Sequence, residues 1–342
     1  MRKQIKRVHV MLLKRYNYIH MKMTNLRCIF FSLSAVAGAS FVSAQTVEHI
    51  KYGDFSNWVT RHIHESAVIG GHDKTIYEIG PTQTIEGNKP YSNLGGSPWA
   101  TSNVYAKVSG VVKTSNAVYP ADRSAKNKCA KLCTQIEKVK VLGLINMDVM
   151  VAGSMFLGKM FEPVTSTKNP YSKMEMGIPF SKHPKSLVFD YKVDMPNVNY
   201  RVKSTGFSSK KQLPGHDNAV VFVFLQRRWE DSDGNIHAKR VATGGEHFSK
   251  TASWTNGHRL QLTYGDLSSK GPVPDYLQLR SGDDRYYARN SKGKMVPVTE
   301  EGWDSANATP THIIVMFSAG SGEPYVGTEG LTLYVDNVGF GY

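Results

Sequence analysis

The sequence predicts an all-β protein built as an antiparallel jelly-roll β-sandwich with long loop insertions. Strand patterns recur along the chain after residue 44, helical periodicity is hard to find there, and tight-turn sequences separate neighbouring strand patterns. Many strands without intervening helices are typical of β-sandwiches. The composition, 40% hydrophobic and 20% charged, is that of a folded protein with a large core rather than of a disordered chain.

The beginning of the chain has the pattern of a secretory signal peptide. A basic segment precedes an apolar run over residues 28–42, and the small residues after it predict cleavage between Ala44 and Gln45. This run is shorter than the about 20 residues that a membrane-spanning helix needs. We therefore expect an exported mature chain that forms one β-sandwich domain over residues 45–342.

Two details of this assignment stay open. The basic lead before the apolar run is unusually long, so Met21 or Met23 is an alternative start of the natural protein. Export can end in the periplasm, at the cell surface or in the medium, and the sequence does not distinguish these locations. No other stretch approaches the length of a membrane span, so no transmembrane segment is expected in the mature chain.

The net charge of +14 is concentrated at the N-terminus. Residues 1–44 carry eight basic side chains and no acidic one, which leaves 34 basic and 28 acidic residues, a net charge of +6, for the other part of the chain. A diffuse excess of this size is an ordinary surface charge. Together with the predicted export, it argues against nucleic acid as a partner.

Five stretches of the mature chain have clear strand patterns. They are Ser186–Met195, Ala219–Trp229, His258–Tyr264, His312–Ala319 and Leu331–Tyr342. The run Ala219–Leu225 is apolar at every position, which predicts a strand that is buried on both faces. Residues 233–235 read Asp-Gly-Asn, a turn sequence, so residues 220–229 and 236–243 are expected to form a hairpin.

The two cysteines of the mature chain, Cys129 and Cys133, lie in a segment whose alternation predicts a strand. Strand residues four apart are separated by about 13 Å, whereas a disulfide needs Cα atoms within roughly 7 Å. We therefore expect two free, unreactive thiols. A zinc site would need more ligands nearby than the sequence offers.

Two long regions, residues 60–98 and 265–311, lack clear alternation. Structureless loops beyond about 15 residues are uncommon in compact domains and are often binding loops or disordered insertions. The second region is rich in charged and aromatic residues as well. We therefore expect it to contribute to a binding site.

Several motifs resemble those of a known family, the PCMD (carbohydrate metabolism domain) family of Bacteroidota. Their order and rough spacing fit over residues 97–342, and they are the segments 99–103 (WATSN), 152–159 (AGSMFLGK), 177–192 (GIPFSKHPKSLVFDYK), 317–320 (FSAG) and 330–338 (GLTLYVDNV). Residues 265–311 are longer than the connection expected in the family. The resemblance implies a jelly-roll sandwich like those of carbohydrate-binding modules, usually in exported proteins, and an association with glycans.

Proteins bind sugars through exposed aromatic rings that are flanked by polar groups. On this chemistry, and on the family motif at residues 99–103, the candidate carbohydrate-binding residues are Trp99, Asn103, Asp283, Asp284, Arg285, Tyr286, Tyr287 and Trp303. The alternative for Tyr286 and Tyr287 is that they cover the sandwich. Trp229 follows two arginines and is compatible with either role, whereas Trp58 is expected in the core.

Metal binding is a weaker hypothesis. No cofactor is expected apart from a structural calcium ion, for which Asp336 in the closing strand and Asp54 near the opening strand are candidate ligands. The histidines at positions 62, 64 and 72 have a spacing compatible with a metal site, but surface histidines are the simpler interpretation.

The sequence leads to an exported protein that binds glycan through exposed aromatic residues on loops. A glycoside hydrolase acting on polysaccharide is the first alternative, and a surface adhesion or scaffold module without glycan specificity is the second. Hydrolysis needs two carboxyl groups about 5 to 9.5 Å apart. Adjacent carboxylates such as Glu300 and Glu301 face opposite sides of a strand, so the sequence identifies no catalytic residues.

Overall fold

Strands make up most of the part of the protein that the structure describes. The structure is a computed structural model and describes residues 46–141, 145–165, 170–206, 209–282, 284–320 and 324–342. The predicted signal peptide lies outside these residues. Four short 3₁₀-helices cover Ala67–Ile69, Pro170–Lys173, Leu267–Lys270 and Asp275–Leu277.

The strands are numbered in chain order. They are β1 (Val47–His49), β2 (Trp58–His64), β3 (Asp73–Ile79), β4 (Gln83–Glu86), β5 (Trp99–Thr101), β6 (Val104–Val108), β7 (Val111–Ser115), β8 (Val118–Ser124), β9 (Asn127–Val141), β10 (Ile145–Ala152), β11 (Ser154–Met160), β12 (Met174–Met176), β13 (Ile178–Pro179), β14 (Ser186–Asp194), β15 (Tyr200–Lys203), β16 (Lys211–Pro214), β17 (Ala219–Glu230), β18 (Ile236–Phe248), β19 (Ala252–Gln261), β20 (Thr263–Tyr264), β21 (Tyr287–Arg289), β22 (Met295–Trp303), β23 (His312–Ser318), β24 (Val326–Gly327) and β25 (Thr332–Gly341). The all-β class predicted from the sequence is confirmed.

One of the two large sheets is antiparallel throughout. Its order is β10-β9-β25-β14-β19, with β1 beside β25 and β8 beside β9. Side chains from one face of this sheet, such as Leu132, Phe189 and Val335, pack against Val223 and Phe317 of the second large sheet. This shared hydrophobic core makes the two sheets the layers of a β-sandwich.

The second large sheet closes on itself. Its strands pair in the order β23-β17-β18-β22-β21-β12-β11, and β11 pairs back with β23. Two contacts of this ring, β18 with β22 and β12 with β21, are parallel. Apolar side chains fill the ring in a second core that includes Phe156, Met176, Phe224 and Ile314.

The strand β17 separates the two cores, as its uninterrupted apolar run predicts. Val221, Val223 and Leu225 belong to the sandwich core, whereas Phe222 and Phe224 belong to the core inside the ring. The predicted hairpin is confirmed as well, because β17 pairs with β18 in antiparallel register from Ala219 to Glu230.

Both cysteines lie on β9 and are free and buried, as the spacing predicts. Burial raises the pKa of Cys129 to about 12 and also raises the pKa of Cys133. Neither thiol is therefore suited to act as a nucleophile.

The expectation that residues 60–98 and 265–311 are long loops is right only in part, because strands occupy a part of each region. The first region contains β3 and β4, which form a three-stranded sheet with β2. The second contains β21 and β22, without which the ring would be open. Along β22 the buried positions are Val296, Val298 and Glu300, so a buried carboxylate hides the alternation that marks a strand.

Residues 51–54 form a turn between β1 and β2. Trp58 opens β2 and is buried, as expected of a core residue. In the described ranges, no helix has both the length and the apolar character required to cross a membrane.

Candidate functional site

A cleft of about 680 Å³ lies where several strands of the ring begin or end. It is lined by residues near the ends of β11, β12, β17 and β21 and near the beginnings of β18 and β23. The segment before β5 and the segment around β13 complete the lining. The lining residues are Asn93, Gly96, Ser97, Pro98, Gly158, Lys159, Glu175, Gly177, Ile178, Pro179, Arg228, Trp229, Glu230, Ile236, Ala288, Arg289 and His312.

The floor of the cleft is polar because the inward-facing residues of β17 change from apolar to polar toward the end of the strand. Alternate residues of this strand face the inside of the ring, and after Phe222 and Phe224 the next two positions hold Gln226 and Arg228. Gln226 is buried and donates a hydrogen bond to Glu300 at 2.5 Å. The same carboxylate forms an ion pair with the buried Arg240. Gln226, Glu300 and Arg240 thus form a polar layer between the apolar core of the ring and the cleft, and the charges of Glu300 and Arg240 offset each other in it.

Arg228 is half-buried and is held in place by neutral acceptors. Its Nε donates to Oε1 of Gln226 at 2.8 Å, and its Nη2 donates to the carbonyl of Met176 at 2.9 Å. A Cβ atom at Gly177, whose φ is +93°, would lie 2.9 Å from Nη2, so glycine leaves the space that this side chain fills. Burial lowers the pKa of Arg228 to about 10.

His312 lies beside Arg228 and is neutral at physiological pH. Burial, and to a smaller extent the charge of Arg228, lowers the pKa of His312 to about 4. The hydroxyl of Thr311 is 2.9 Å from its Nδ1. The imidazole can therefore exchange a hydrogen bond with a ligand without adding a charge.

Trp229 borders the cleft between Arg228 and Glu230, and its indole, which alternation along β17 places on the opposite face of the strand from Arg228, stays 37% exposed. Its ring stacks on that of His237 with centroids 5.6 Å apart and an interplanar angle of 17°. Nε2 of His237 is 3.0 Å from Asp231, and Nδ1 is 2.7 Å from Glu301. These two carboxylates raise the pKa of His237. The imidazole thus covers one face of the Trp229 ring, and the two carboxylates favour its charged form.

The remaining polar groups of the cleft come from β11, β12, β17 and β21. Arg289 is exposed, and its guanidinium lies 4.2 Å from the ring centroid of Phe161. Its backbone N–H donates to Glu175 at 3.3 Å, and Lys159 is the cross-strand neighbour of Glu175. Hydrogen bonds from Ser291 lower the pKa of Glu230.

The structure gives Trp99 a role different from the predicted one. Its side chain is fully buried, its ring meets Phe55 edge-on with centroids 5.4 Å apart, and its Nε1 donates to the carbonyl of Lys51 at 3.1 Å. A sugar cannot stack on a ring with no exposed face. Trp99 is a core residue, and its predicted contact with glycan is corrected accordingly.

Asn103 is also corrected, because all of its polar atoms are used inside the protein. Its amide nitrogen donates to the carbonyls of Tyr77 and Val118, both at 2.7 Å. Its oxygen accepts from the N–H groups of Ala117 and Val118 at 2.8 and 2.9 Å. This amide joins three segments of backbone and has no atom left for a ligand.

The described residues among those predicted at 283–287 are divided between the surface and the core inside the ring. Asp283 lies outside the described residues. The exposed Asp284 forms an ion pair with Arg280, and Arg285 donates to Thr299 at 3.0 Å. Tyr286 is buried and stacks on Phe222 at a centroid distance of 6.0 Å, so it belongs to the core inside the ring.

Tyr287 and Trp303 are half-buried and do not line the cleft. Tyr287 begins β21 opposite Pro297, and the ring centroid of Trp303 lies 5.5 Å from the guanidinium of Arg240. Of the predicted insertion, Ala288 and Arg289 reach the cleft. The predicted site therefore lies on the neighbouring part of the ring rather than in this cleft.

The position considered for calcium is occupied by a protein cation. Arg123 lies 2.6 Å from the buried Asp336 and 2.6 Å from Asp190. Asn127 also donates to Asp336 at 3.0 Å, whereas Asp54 is exposed in the turn before β2. Among the described residues, no cluster of His, Cys, Asp and Glu has the arrangement of a metal site. Nδ1 of His64 contacts Asp73 at 2.8 Å, on the surface.

Comparison with known proteins identifies the family. Residues 75–269 match the family described as "Putative carbohydrate metabolism domain", more than half of the chain, so the protein belongs to that family. The family predicted from the sequence motifs is thereby confirmed. No curated protein matches the chain.

Two solved structures are similar to this chain. One is described as "a putative glycoside hydrolase from Bacteroides vulgatus ATCC 8482", with 16% identity, a TM-score of 0.41, and coverage of 86% of this chain and 94% of that one. The other is described as "a putative glycoside hydrolase from bacteroides thetaiotaomicron vpi-5482", with 15% identity, a TM-score of 0.39, and coverage of 79% and 75%.

Sequence reasoning missed most of the residues that line the cleft. Glu175, Arg289 and His312 are brought together by pairing between strands that are distant in the chain, and no local pattern connects them. The run of Arg228, Trp229 and Glu230 carries a signal, because a strand that was apolar on both faces ends in charged residues and an aromatic ring.

Proposed function

We propose that this protein is an exported carbohydrate-binding protein and that glycan binds in the cleft at the end of the strand ring. The observation that carries the proposal is Trp229, an exposed indole that is stacked on His237 at the edge of a cleft of about 680 Å³. An exposed ring beside charged groups is the arrangement that sugar binding requires. A ring that only packed in the core would be covered by apolar neighbours.

The polar lining supports the same function. Arg228, Arg289, Glu175 and His312 offer donors and acceptors to sugar hydroxyls around one cleft. Residues 158–159 and 177–179 of the lining fall within segments in which the sequence resembles the carbohydrate metabolism family. The family assignment and the chemistry of the cleft therefore support the same class of ligand.

The test is affinity electrophoresis of the mature protein in gels that contain single polysaccharides. Trp229→Ala should weaken binding of a retained glycan by about 2 kcal/mol or more, roughly a 30-fold rise in Kd. Trp254→Ala is the matched control, because Trp254 is a half-exposed indole on β19 that packs beside Arg123 and does not line the cleft. Equal retention of both variants and the wild type would refute the proposal.

Glycoside hydrolysis is a second candidate, because Glu175 and Glu230 line the same cleft. Hydrolysis requires a general acid, usually a carboxyl group whose pKa is raised. Glu230 does not fit that role, since its hydrogen bonds from Ser291 lower its pKa. Binding is therefore the favoured function. Release of reducing ends from a retained polysaccharide, abolished in Glu175→Gln, would reverse this preference.

Export is part of the proposal and rests on the sequence pattern of residues 1–44. The mature protein should begin at Gln45, which N-terminal sequencing of protein from the periplasm, cell surface or medium can test. Retention of residues 1–44 in that fraction would contradict the predicted cleavage.

A further inference from the structure

The cations and the carboxylates that line the cleft differ in the protein groups that bond to them. Three cationic side chains line it, Lys159, Arg228 and Arg289, together with two carboxylates, Glu175 and Glu230. In the described ranges, none of the three cations forms an ion pair with a carboxylate. The lining therefore presents three cations against two carboxylates, an excess of one positive charge.

The carboxylates, in contrast, already have partners. Both oxygens of Glu230 accept hydrogen bonds from Ser291, one from the N–H at 2.8 Å and one from the hydroxyl at 2.7 Å. One oxygen of Glu175 accepts the backbone N–H of Arg289 at 3.3 Å. These donors are neutral, so both carboxylates keep their negative charge, and the charges of Glu300 and Glu175 favour the charged form of Arg228.

Arg228 has the most restricted position of the three. Two of its donor atoms are fixed by Gln226 and by the carbonyl of Met176, so the direction of the guanidinium is set before a ligand arrives. Partial burial lowers the pKa of Arg228 to about 10, which means that its charge is poorly solvated where it lies. The neighbouring His312 stays neutral and does not compete for an anion.

We infer that the ligand of this cleft is an anionic glycan, one that carries carboxylate or sulfate groups, and that Arg228 pairs with the anionic group inside the cleft while another sugar ring of the chain stacks on Trp229 at the outer face of β17. This inference rests on the proposed function of the cleft. A fixed, poorly solvated guanidinium gains more from a charged oxygen than from a hydroxyl, because the Coulomb attraction between opposite charges adds to the hydrogen bond and is stronger where water is partly excluded. Arg289, which stacks on Phe161, and Lys159 add further positive charge at the cleft.

The experiment compares matched pairs of polysaccharides in affinity gels. One pair is polygalacturonic acid and its fully methyl-esterified form, which isolates the carboxylate. The other pair is dextran sulfate and dextran, which isolates the sulfate. The proteins are the wild type, Arg228→Gln, Arg228→Lys, Trp229→Ala and Lys250→Gln. Lys250 is an exposed lysine outside the cleft, and its variant controls for the loss of one unit of positive charge.

We expect the wild type to be retained at least about tenfold more strongly by the charged member of one pair than by its neutral member. Arg228→Gln should lose most of that preference, Arg228→Lys should keep part of it, and Lys250→Gln should keep all of it. Preference for the carboxylate pair or for the sulfate pair identifies which anion the cleft binds.

Two outcomes would overturn the inference alone, and they are distinguishable from those that contradict the proposed function as well. Equal retention by charged and neutral members, with loss of binding in Trp229→Ala alone, would refute the anionic ligand and leave glycan binding in the cleft intact. An equal loss in Arg228→Gln and Lys250→Gln would mean that the preference is nonspecific electrostatic attraction. Retention that Trp229→Ala leaves unchanged, or no retention at all, would instead contradict the proposed function together with the inference.

Discussion

Replacing Trp99 by alanine tests whether this residue belongs to the core or to a ligand site. The indole is fully buried, meets Phe55 edge-on at 5.4 Å, and hydrogen-bonds the carbonyl of Lys51. Removing a buried tryptophan costs about 3 to 5 kcal/mol through lost burial and the remaining cavity. At about 2 °C per kcal/mol for a chain of this size, Tm should fall by roughly 6 to 10 °C.

The measurement is urea and thermal unfolding followed by far-ultraviolet circular dichroism, which does not depend on tryptophan fluorescence. Trp229→Ala removes the same side chain from an exposed position and should lower the free energy of unfolding by less than about 1 kcal/mol. If Trp99→Ala changed the stability as little as Trp229→Ala does, the core role assigned to Trp99 would be refuted.

Three further predictions concern residues outside the cleft. Asn103→Asp should lower the free energy of unfolding by more than about 3 kcal/mol in urea titrations, because a carboxylate cannot donate to the carbonyls of Tyr77 and Val118; a loss below 1 kcal/mol would contradict the bonding described. Burial, opposed by Arg61 and assisted by Glu162, raises the pKa of Glu78 to about 8. The folded chain therefore holds a proton that the unfolded chain releases above its ordinary pKa of 4.5, so stability should fall as the pH rises from about 4.5 to about 8. Glu78→Gln should flatten this slope, and a slope that is unchanged in this variant would assign it to other groups. Thiol titration should count Cys129 and Cys133 in urea and neither of them in the folded protein, where burial raises both pKa values; a count of zero in urea would indicate a disulfide.

The strands that the sequence predicts well are those whose inward positions are all apolar. Ala219–Leu225 was assigned correctly because hydrophobic side chains face both cores. Cys129 and Cys133 lie on one face of β9, whereas Ala130 and Leu132 on the other face belong to the sandwich core. In such segments the apolar pattern of the sequence matches the burial of the side chains, so the pattern is sufficient to predict a strand.

Sequence reasoning failed where buried polar side chains that bond to each other replace apolar ones. Arg61 on β2 and Glu78 on β3 are buried and bond at 2.9 Å. Arg240 on β18 and Glu300 on β22 form a second buried pair. A charge at an inward position looks like surface in the sequence, so the alternation of β2, β3 and β22 was not recognised.

The candidate site could be predicted only in its chemistry and not in its location. An exposed aromatic residue among charged groups was expected, and Trp229 had been compatible with that role. The insertion was expected to supply this surface, but it completes the strand ring and sends Tyr286 into the core. Closure of the ring depends on pairing between strands that are distant in sequence, which no local pattern encodes.

The central claim is that a glycan occupies the cleft against Trp229, and hydroxyl-radical footprinting with mass spectrometry tests it without any mutation. The wild-type protein is oxidised with and without the polysaccharide that it binds best, and the oxidation rates of Trp229 and Trp254 are compared. The structure predicts that the glycan protects Trp229 and leaves Trp254 on β19 unchanged. Unchanged oxidation of Trp229 at saturating glycan would contradict the claim, and protection of Trp254 in its place would move the binding site to the other sheet.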